Sequence, residues 1–283
     1  MSLSVAIITK NEEANIRRTL ESVKWADEIV VVDSGSTDRT CDIAREYGAK
    51  VFVEEWKGFA KQKNSAIEKC SGDWILSLDA DEEVSSGLHD ALRIDGFLGE
   101  FAGAVPEKSD LLSEHKTLVA IRLARKNHFL GRWIKHGGFY PDHKVRIFRK
   151  DLASFRDFRV HETLQVKGGK VYDFNWGVDG LDISLIHHAY PTLSGYIEHM
   201  NRYSDLGAQM VAEKGKVGFS FVNIVIRPIA TFIYNYFLRL GFLDGREGLL
   251  LHLYHSVYVS WKYAKAWELS SSGERSGERD TKK

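Results

Sequence analysis

Within the first eighty residues, short β-branched runs alternate with stretches of helical spacing. This alternation restricts the chain to an α/β fold whose sheet is mostly parallel, with helices on both faces. Residues 4–9 form an apolar run, Ile16, Leu20 and Val23 recur at helical intervals, and Glu28–Asp33 is a second buried strand. Ser34-Gly35-Ser36-Thr37-Asp38 supplies a turn and an N-cap for a helix carrying Ile43 and Ala44. Residues 51–53 read as a third strand, Phe59–Lys69 as a helix, and 74–78 as a fourth strand ending in Asp79-Ala80-Asp81. Ligands of such sheets bind beyond the carboxyl ends of the strands. Asp33 closes one strand and Asp79 with Asp81 closes another, so chemistry is expected at this edge.

Aspartates at i and i+2 beyond a strand reach one small volume if the chain turns there. Two carboxylates that close repel unless a cation joins them. A divalent ion such as Mg²⁺ or Mn²⁺, held by one or two carboxylates and by substrate phosphates, meets that need. The same Asp-Ala-Asp-Glu-Glu run also suits a solvated acidic turn opening the next helix. No G-x-G-x-x-G follows the first strand and no G-x-x-x-x-G-K-[ST] occurs, which argues against a dinucleotide oxidoreductase and a P-loop NTPase. Lys plus Arg and Asp plus Glu both number 39, a balance that argues against a nucleic-acid partner. Cys41 and Cys70 are too few for a disulfide framework or a structural zinc site, and read as buried thiols of a reducing compartment. The N-terminus lacks the basic lead of a signal peptide.

The ordered motifs carry a family resemblance. The run 4–13, Val30-Val31-Val32-Asp33-Ser34-Gly35-Ser36-Thr37-Asp38, then 58–64 and Asp79-Ala80-Asp81 resemble family 2 glycosyltransferases in order and spacing. The likeness continues through 131–142, Arg146-Ile147-Phe148, Val160-His161-Glu162 and 241–245, a narrower pattern similar to the bacterial lipopolysaccharide-core β-glycosyltransferase group. It implies a GT-A type nucleotide-binding sheet with an acceptor-binding half. On that resemblance, Thr9, Glu12, Asp33 and Lys63 match positions contacting the nucleobase and ribose of a nucleotide sugar. Asp79 matches a carboxylate near the ribose, and Asp81 the ligand of a divalent metal, Mg or Mn, on the diphosphate. Glu162 is the best match to the catalytic base of inverting members, although His161 precedes it where many relatives carry a Glu-Asp pair.

His187-His188 follows an apolar strand, and either imidazole could complete the metal shell; His188 is the one assigned. Trp133 and Tyr140 are candidates to stack on a sugar, and Asp142 and Arg146 to contact acceptor or phosphate. Residues 217–267 hold twelve of the chain's 33 aromatics, in short apolar stretches bordered by Arg and Lys. That pattern fits helices lying on an anionic membrane surface, or packed against a second subunit in a homo-oligomer. The expected organisation is a glycosyltransferase domain over 1–215, with a nucleotide-sugar half at 1–92 and an acceptor half at 119–215. A membrane-facing helical region over 216–268 and a disordered tail over 269–283 follow. The function expected is metal-assisted inverting transfer of a hexose, glucose from UDP-glucose, onto a lipid-anchored glycan such as the lipopolysaccharide inner core. The place expected is the cytoplasm, peripheral on the inner face of the cytoplasmic membrane. The alternative is a non-catalytic sugar-nucleotide-binding scaffold of the same fold.

Overall fold

The computed structural model describes residues 2–93, 118–157, 162–174, 182–215 and 217–280. The chain divides into two compact units, Met1–Lys126 with Pro141–His188, and Asn127–Tyr140 with Ala189–Lys283. The boundary expected at 215 therefore falls inside the second unit.

The first unit opens with β1 (Leu3–Thr9), α1 (Glu13–Val23), β2 (Glu28–Asp33), α2 (Thr40–Glu46), β3 (Lys50–Val53), α3 (Phe59–Lys69) and β4 (Trp74–Asp79). In chain order there follow β5 (Glu82–Val84), α4 (Ser86–Arg93), β6 (Leu118–Phe129), whose end belongs to the second unit with β7 (Arg132–Trp133), and β8 (Asp142–Arg149). Strands β9 (Ala153–Asp157), β10 (Glu162–Val166), β11 (Lys170–Phe174) and β12 (Ser184–Tyr190) complete the described sheets. The main sheet runs β3-β2-β1-β4-β8-β6-β12-β5, with β11 and β7 also paired to β6. It is parallel from β3 to β4, as the early periodicity predicts, and antiparallel at β4–β8, β8–β6 and β12–β5.

Side-chain alternation explains the two covered faces. Val5, Ile7 and Val31 pack with Ile16, Leu20 and Val23 of α1 and Ile43 of α2. The intervening Ala6, Ile8, Val30 and Val32 pack with Ala60, Ala66 and Ile67 of α3. At the opposite edge from the strands' carboxyl ends, Glu28 accepts from Ser4 Oγ at 2.5 Å, Lys50 Nζ at 2.6 Å and the Ser71 amide at 2.6 Å. Burial alone would raise the Glu28 carboxyl, but these donors bring it down to about 2. A depressed carboxylate stabilises the fold above its unfolded value, near 4.5, and that stability disappears as pH falls toward 2. Glu28→Gln is expected to cost on the order of 2 kcal/mol at pH 7 and to make denaturant midpoints less sensitive to pH between 4.5 and 2. Equal acid limbs in the two proteins would contradict this.

In the second unit, β6 turns into β7 through Leu130 and Gly131, at φ 52° and 83°. Positive φ at both central residues matches the twist of a tight hairpin and suits glycine at the second position. Helix α5 (Leu193–Ala212) is capped by Thr192, whose Oγ1 accepts from the Gly195 amide at 3.1 Å. Helix α6 (Arg227–Ile233) is flanked by π-helical turns at Val222–Ile226 and Tyr234–Leu238. Helix α7 (Gly245–Asp280) packs on α5, where Lys265 Nζ meets Asn201 Oδ1, Ser204 Oγ and Asp205 Oδ1 within 2.6–2.7 Å. The polar composition of 269–283 predicts a disordered tail, yet α7 runs on through Asp280. Extending a packed helix needs no new nucleus, so poor helix formers can follow it.

Candidate active site

Two loops close the carboxyl end of the parallel strands. Asp33, fully buried at the end of β2, accepts from the Gly35 and Ser36 amides at 2.9 and 2.8 Å, and from the Ser36 hydroxyl. Gly35, at φ 84°, lets the chain turn back over this carboxylate. Across from it, the Asn11 amide donates to Ser36 Oγ at 2.8 Å, and Asn11 Oδ1 accepts from the Thr37 amide at 2.8 Å. The Ser34 amide donates to the Thr9 carbonyl at 2.9 Å, while Thr9 Oγ1 is buried without a hydrogen-bond partner. Glu12 is half-buried and bonded to Asn15 Nδ2 at 2.9 Å. Burial, joined by the charges of Asp81, Asp38 and Asp79, lifts its carboxyl above the ordinary range. Burial and the nearby Asp33 carboxylate push the Cys41 thiol up to about 11, which makes it an unreactive thiol at neutral pH.

The turn after β4 is pinned at three points. Thr19 Oγ1 of α1 donates to the Ala80 carbonyl at 2.8 Å, the His188 amide donates to the Asp81 carbonyl at 2.9 Å, and Glu82 Oε2 accepts from the Asp79 amide at 3.0 Å. Asp79 holds Lys63 Nζ at 2.8 Å on one oxygen and Arg146 Nη2 at 2.7 Å on the other. Burial alone would raise the Asp79 carboxyl; Arg146 and Lys63 reverse that and hold it well below the usual carboxylate range. Arg146 Nη2 also meets Glu82 Oε1 at 2.5 Å, and Glu82 is fully buried. Glu82 Oε1 further accepts from Arg125 Nη1 at 3.0 Å, and Arg125 grips Asp142 at 2.6 Å, directly opposite it on β8. Lys63, Asp79, Arg146, Glu82, Arg125 and Asp142 thus form one continuous chain of ion pairs.

This brace leaves Asp81 as the carboxylate of the pair not engaged by Lys63 or Arg146. Asp81 Oδ2 lies 3.3 Å from His187 Nε2. Burial opposes its ionisation, and the His187 hydrogen bond with the charges of His187 and Arg125 brings it net below the ordinary value. Strand alternation turns His188 the other way, to Glu83 at 3.1 Å and Arg18 at 3.3 Å. His187, not His188, is therefore the imidazole beside Asp81. Among the described residues no three His, Cys, Asp or Glu side chains converge on one point. A carboxylate and an imidazole suit Mg²⁺ or Mn²⁺ when substrate phosphates and water supply the remaining ligands.

The other assigned residues divide. Arg146 is 5% exposed and spent on Asp79 and Glu82, so it braces the site from within instead of presenting itself to acceptor or phosphate. Asp142 faces Arg125 and Lys144. In the second unit Trp133 meets the Tyr140 ring edge-on at 5.1 Å, with Lys135 Nζ 4.4 Å from the Trp133 ring centre. Glu162 opens β10 opposite Asp157; its side chain, with Val160 and His161, lies outside the described residues. Sequence reasoning missed Glu82, Arg125 and Thr19. Glu82 reads as part of a solvated acidic turn, and only its pairing in β5 with His187 of β12 shows that it points inward.

The family model described as glycosyl transferase family 2 matches residues 4–153, just over half of the chain. The chain belongs to this family. An uncharacterised glycosyltransferase of Rickettsia typhi is 33% identical over 273 residues, covering 95% of this chain and 87% of the relative. The lipopolysaccharide core biosynthesis glycosyltransferase LpsC of Rhizobium meliloti is 32% identical over 279 residues, covering 95% and 93%. Among solved structures, residues 1–349 of S. aureus TarS in complex with UDP align with 98% of this chain and 92% of theirs, at 18% identity and a TM-score of 0.41. The family match spans β1 to β8, the segment that contributes Thr9, Glu12, Asp33, Lys63, Asp79, Asp81 and Arg146. The enzyme is a glycosyltransferase, and its family signature coincides with the braced edge of the parallel strands.

Proposed function

We propose that this glycosyltransferase moves a hexose, glucose from UDP-glucose, with inversion onto a lipid-linked glycan such as the lipopolysaccharide inner core, working at the inner face of the cytoplasmic membrane. The observation that carries the reading is the division of labour after β4. Asp79 is locked by Lys63 and Arg146, while the adjacent Asp81 stands with His187 at the mouth of the same turn. The likeness to LpsC over nearly its whole length supports a lipopolysaccharide-core acceptor.

In this reading Thr9, Glu12 and Asp33 line the nucleoside end of the donor crevice, and Lys63 and Asp79 border its ribose. Asp81 and His187 would hold a divalent metal, which would supply Lewis-acid compensation for the charge of the diphosphate. Glu162 is the general base that takes the proton of the acceptor hydroxyl as that oxygen attacks the anomeric carbon from the face opposite the diphosphate. A single displacement inverts that carbon, so an α-linked donor gives a β-product. Trp133 offers an aromatic face to an acceptor sugar.

The test combines binding with turnover. UDP is expected to raise the melting temperature more with Mn²⁺ than with EDTA, since a ligand that binds only the folded state stabilises it. Glu162→Gln is expected to keep that shift and lose transfer by about a hundredfold or more. Wild-type transfer by Glu162→Gln would remove Glu162 as the base. No nucleotide shift with folded wild-type protein would remove the donor assignment.

A further inference from the structure

The stretch from 217 to 243 is apolar on its outward side as well as on the side that packs against the protein. Val222, Ile226, Ile229, Ile233 and Phe237, spaced by four, three, four and four residues, are 46–60% exposed. Those steps trace one face of the helical segment, and the π-helical turns at either end keep the four-residue steps aligned. The inward side carries buried Pro228 with half-buried Ile224, Val225 and Phe232 beside Asn223 and Asn235, and the Ile224 carbonyl accepts from Ser260 Oγ of α7 at 2.8 Å. Helix α7 is the support: Leu251, Val259 and Ala266 are buried. A monomeric soluble protein rarely leaves a continuous apolar stripe of this extent facing water.

We infer that the outward stripe Val222-Ile226-Ile229-Ile233-Phe237 is a docking surface for an anionic lipid bilayer, lying flat in its interface. The inference deepens the membrane-peripheral reading above and rests on it, while narrowing the region expected over 216–268 to one element and one face. Charge selects the occupant. Residues 217–243 contain Arg227 and Arg239 and no acidic residue, which matches anionic headgroups. A symmetric contact with a second copy would bring this patch against itself, guanidinium toward guanidinium, with no carboxylate in the segment to pair. The orientation follows from the same two residues. Arg227 stands 4.9 Å from the Tyr263 ring centre and Arg239 5.3 Å from that of Tyr234. Arg–Tyr pairs of this kind belong at headgroup level. Two of them twelve residues apart stay at one depth only if the helix lies along the surface, with its apolar stripe downward.

The experiment uses full-length protein and sedimentation with vesicles. Wild type is expected to bind phosphatidylglycerol-containing vesicles at least about tenfold more tightly than pure phosphatidylcholine vesicles. The triple variant Ile229→Gln, Ile233→Gln, Phe237→Gln is expected to bind the anionic vesicles at least about tenfold more weakly. Its melting temperature and its UDP–Mn²⁺ shift should match wild type, because the three side chains face outward. The nucleotide shift reports the donor site separately, so its failure and that of the docking surface are distinguishable. Undiminished vesicle binding by the variant would overturn the inference. So would a wild-type protein that stays off anionic vesicles, whether monomeric or as a dimer that the variant dissociates.

Discussion

Asp81→Ala is expected to reduce glycosyl transfer by about a hundred- to a thousandfold and to abolish the extra stabilisation that Mn²⁺ gives to UDP binding. The magnitude is that of removing one preorganised group that offsets developing charge in a transition state, on the order of 3–4 kcal/mol. The selectivity of the effect comes from geometry. Asp79 already spends one oxygen on Lys63 and the other on Arg146, so it has no free oxygen to replace its neighbour as a metal ligand. Asp81 faces His187 at 3.3 Å, and replacing it leaves the brace through Glu82 and Arg125 in place. The variant should therefore fold, bind UDP as wild type does in EDTA, and gain nothing from Mn²⁺. The decisive measurement is the melting temperature with UDP, with and without metal, beside the rate of UDP release. A variant that retained the metal-dependent increment would move the metal site elsewhere. His187→Ala is expected to weaken the same increment without erasing it, whereas His188→Ala, which turns to Glu83 and Arg18, should leave it intact.

Why His187 was not distinguishable from His188 in the sequence is a matter of register. Two adjacent histidines on a strand point to opposite faces, and a slip of one residue exchanges them. Only the pairing of His187 with Glu82 across β12 and β5 decides which one reaches Asp81, and those strands are a hundred residues apart. The aspartates themselves were legible because their position is local: each follows an apolar run that can only be a strand end. The same holds for β1 to β4, whose alternation with α1, α2 and α3 is written in neighbouring residues. Glu82 and Arg125 were not legible, since an acidic residue after an Asp-Ala-Asp turn and an arginine in a strand both default to solvent. Their burial follows from the antiparallel strands added after β4, where Arg125 meets Asp142 across β6 and β8. Composition marked the C-terminal fifth as different material, but not which face of 222–237 points outward. That depends on α7 covering the opposite side.

Arg146→Met is expected to destabilise the fold by about 3–5 kcal/mol at pH 7, because it removes the central cation of a buried network and leaves its carboxylates under-compensated. In the wild type Arg146 serves both Asp79 and Glu82 through Nη2. Without it, Asp79 retains Lys63 and Glu82 retains Arg125, so three carboxylates face two buried cations where there were three. The pH dependence gives the prediction its sign. Asp79 is held well below the ordinary carboxylate range because Arg146 and Lys63 overcome its burial. Such a group contributes stability above its unfolded value, near 4, and that contribution is lost as pH falls through its folded value. Arg146→Met lets the Asp79 carboxyl rise, so part of that contribution is already absent at neutral pH. The gap between the two proteins should accordingly be widest near pH 7 and narrow steadily below pH 5. Urea denaturation at a series of pH values measures both features. Arg146→Lys should recover part of the loss at pH 7, as an ammonium keeps the charge but not the planar reach to two carboxylates. A loss under about 1 kcal/mol, or one that stays constant from pH 7 to pH 4, would mean that the ion-pair chain from Lys63 to Asp142 does not hold the turn after β4 in place.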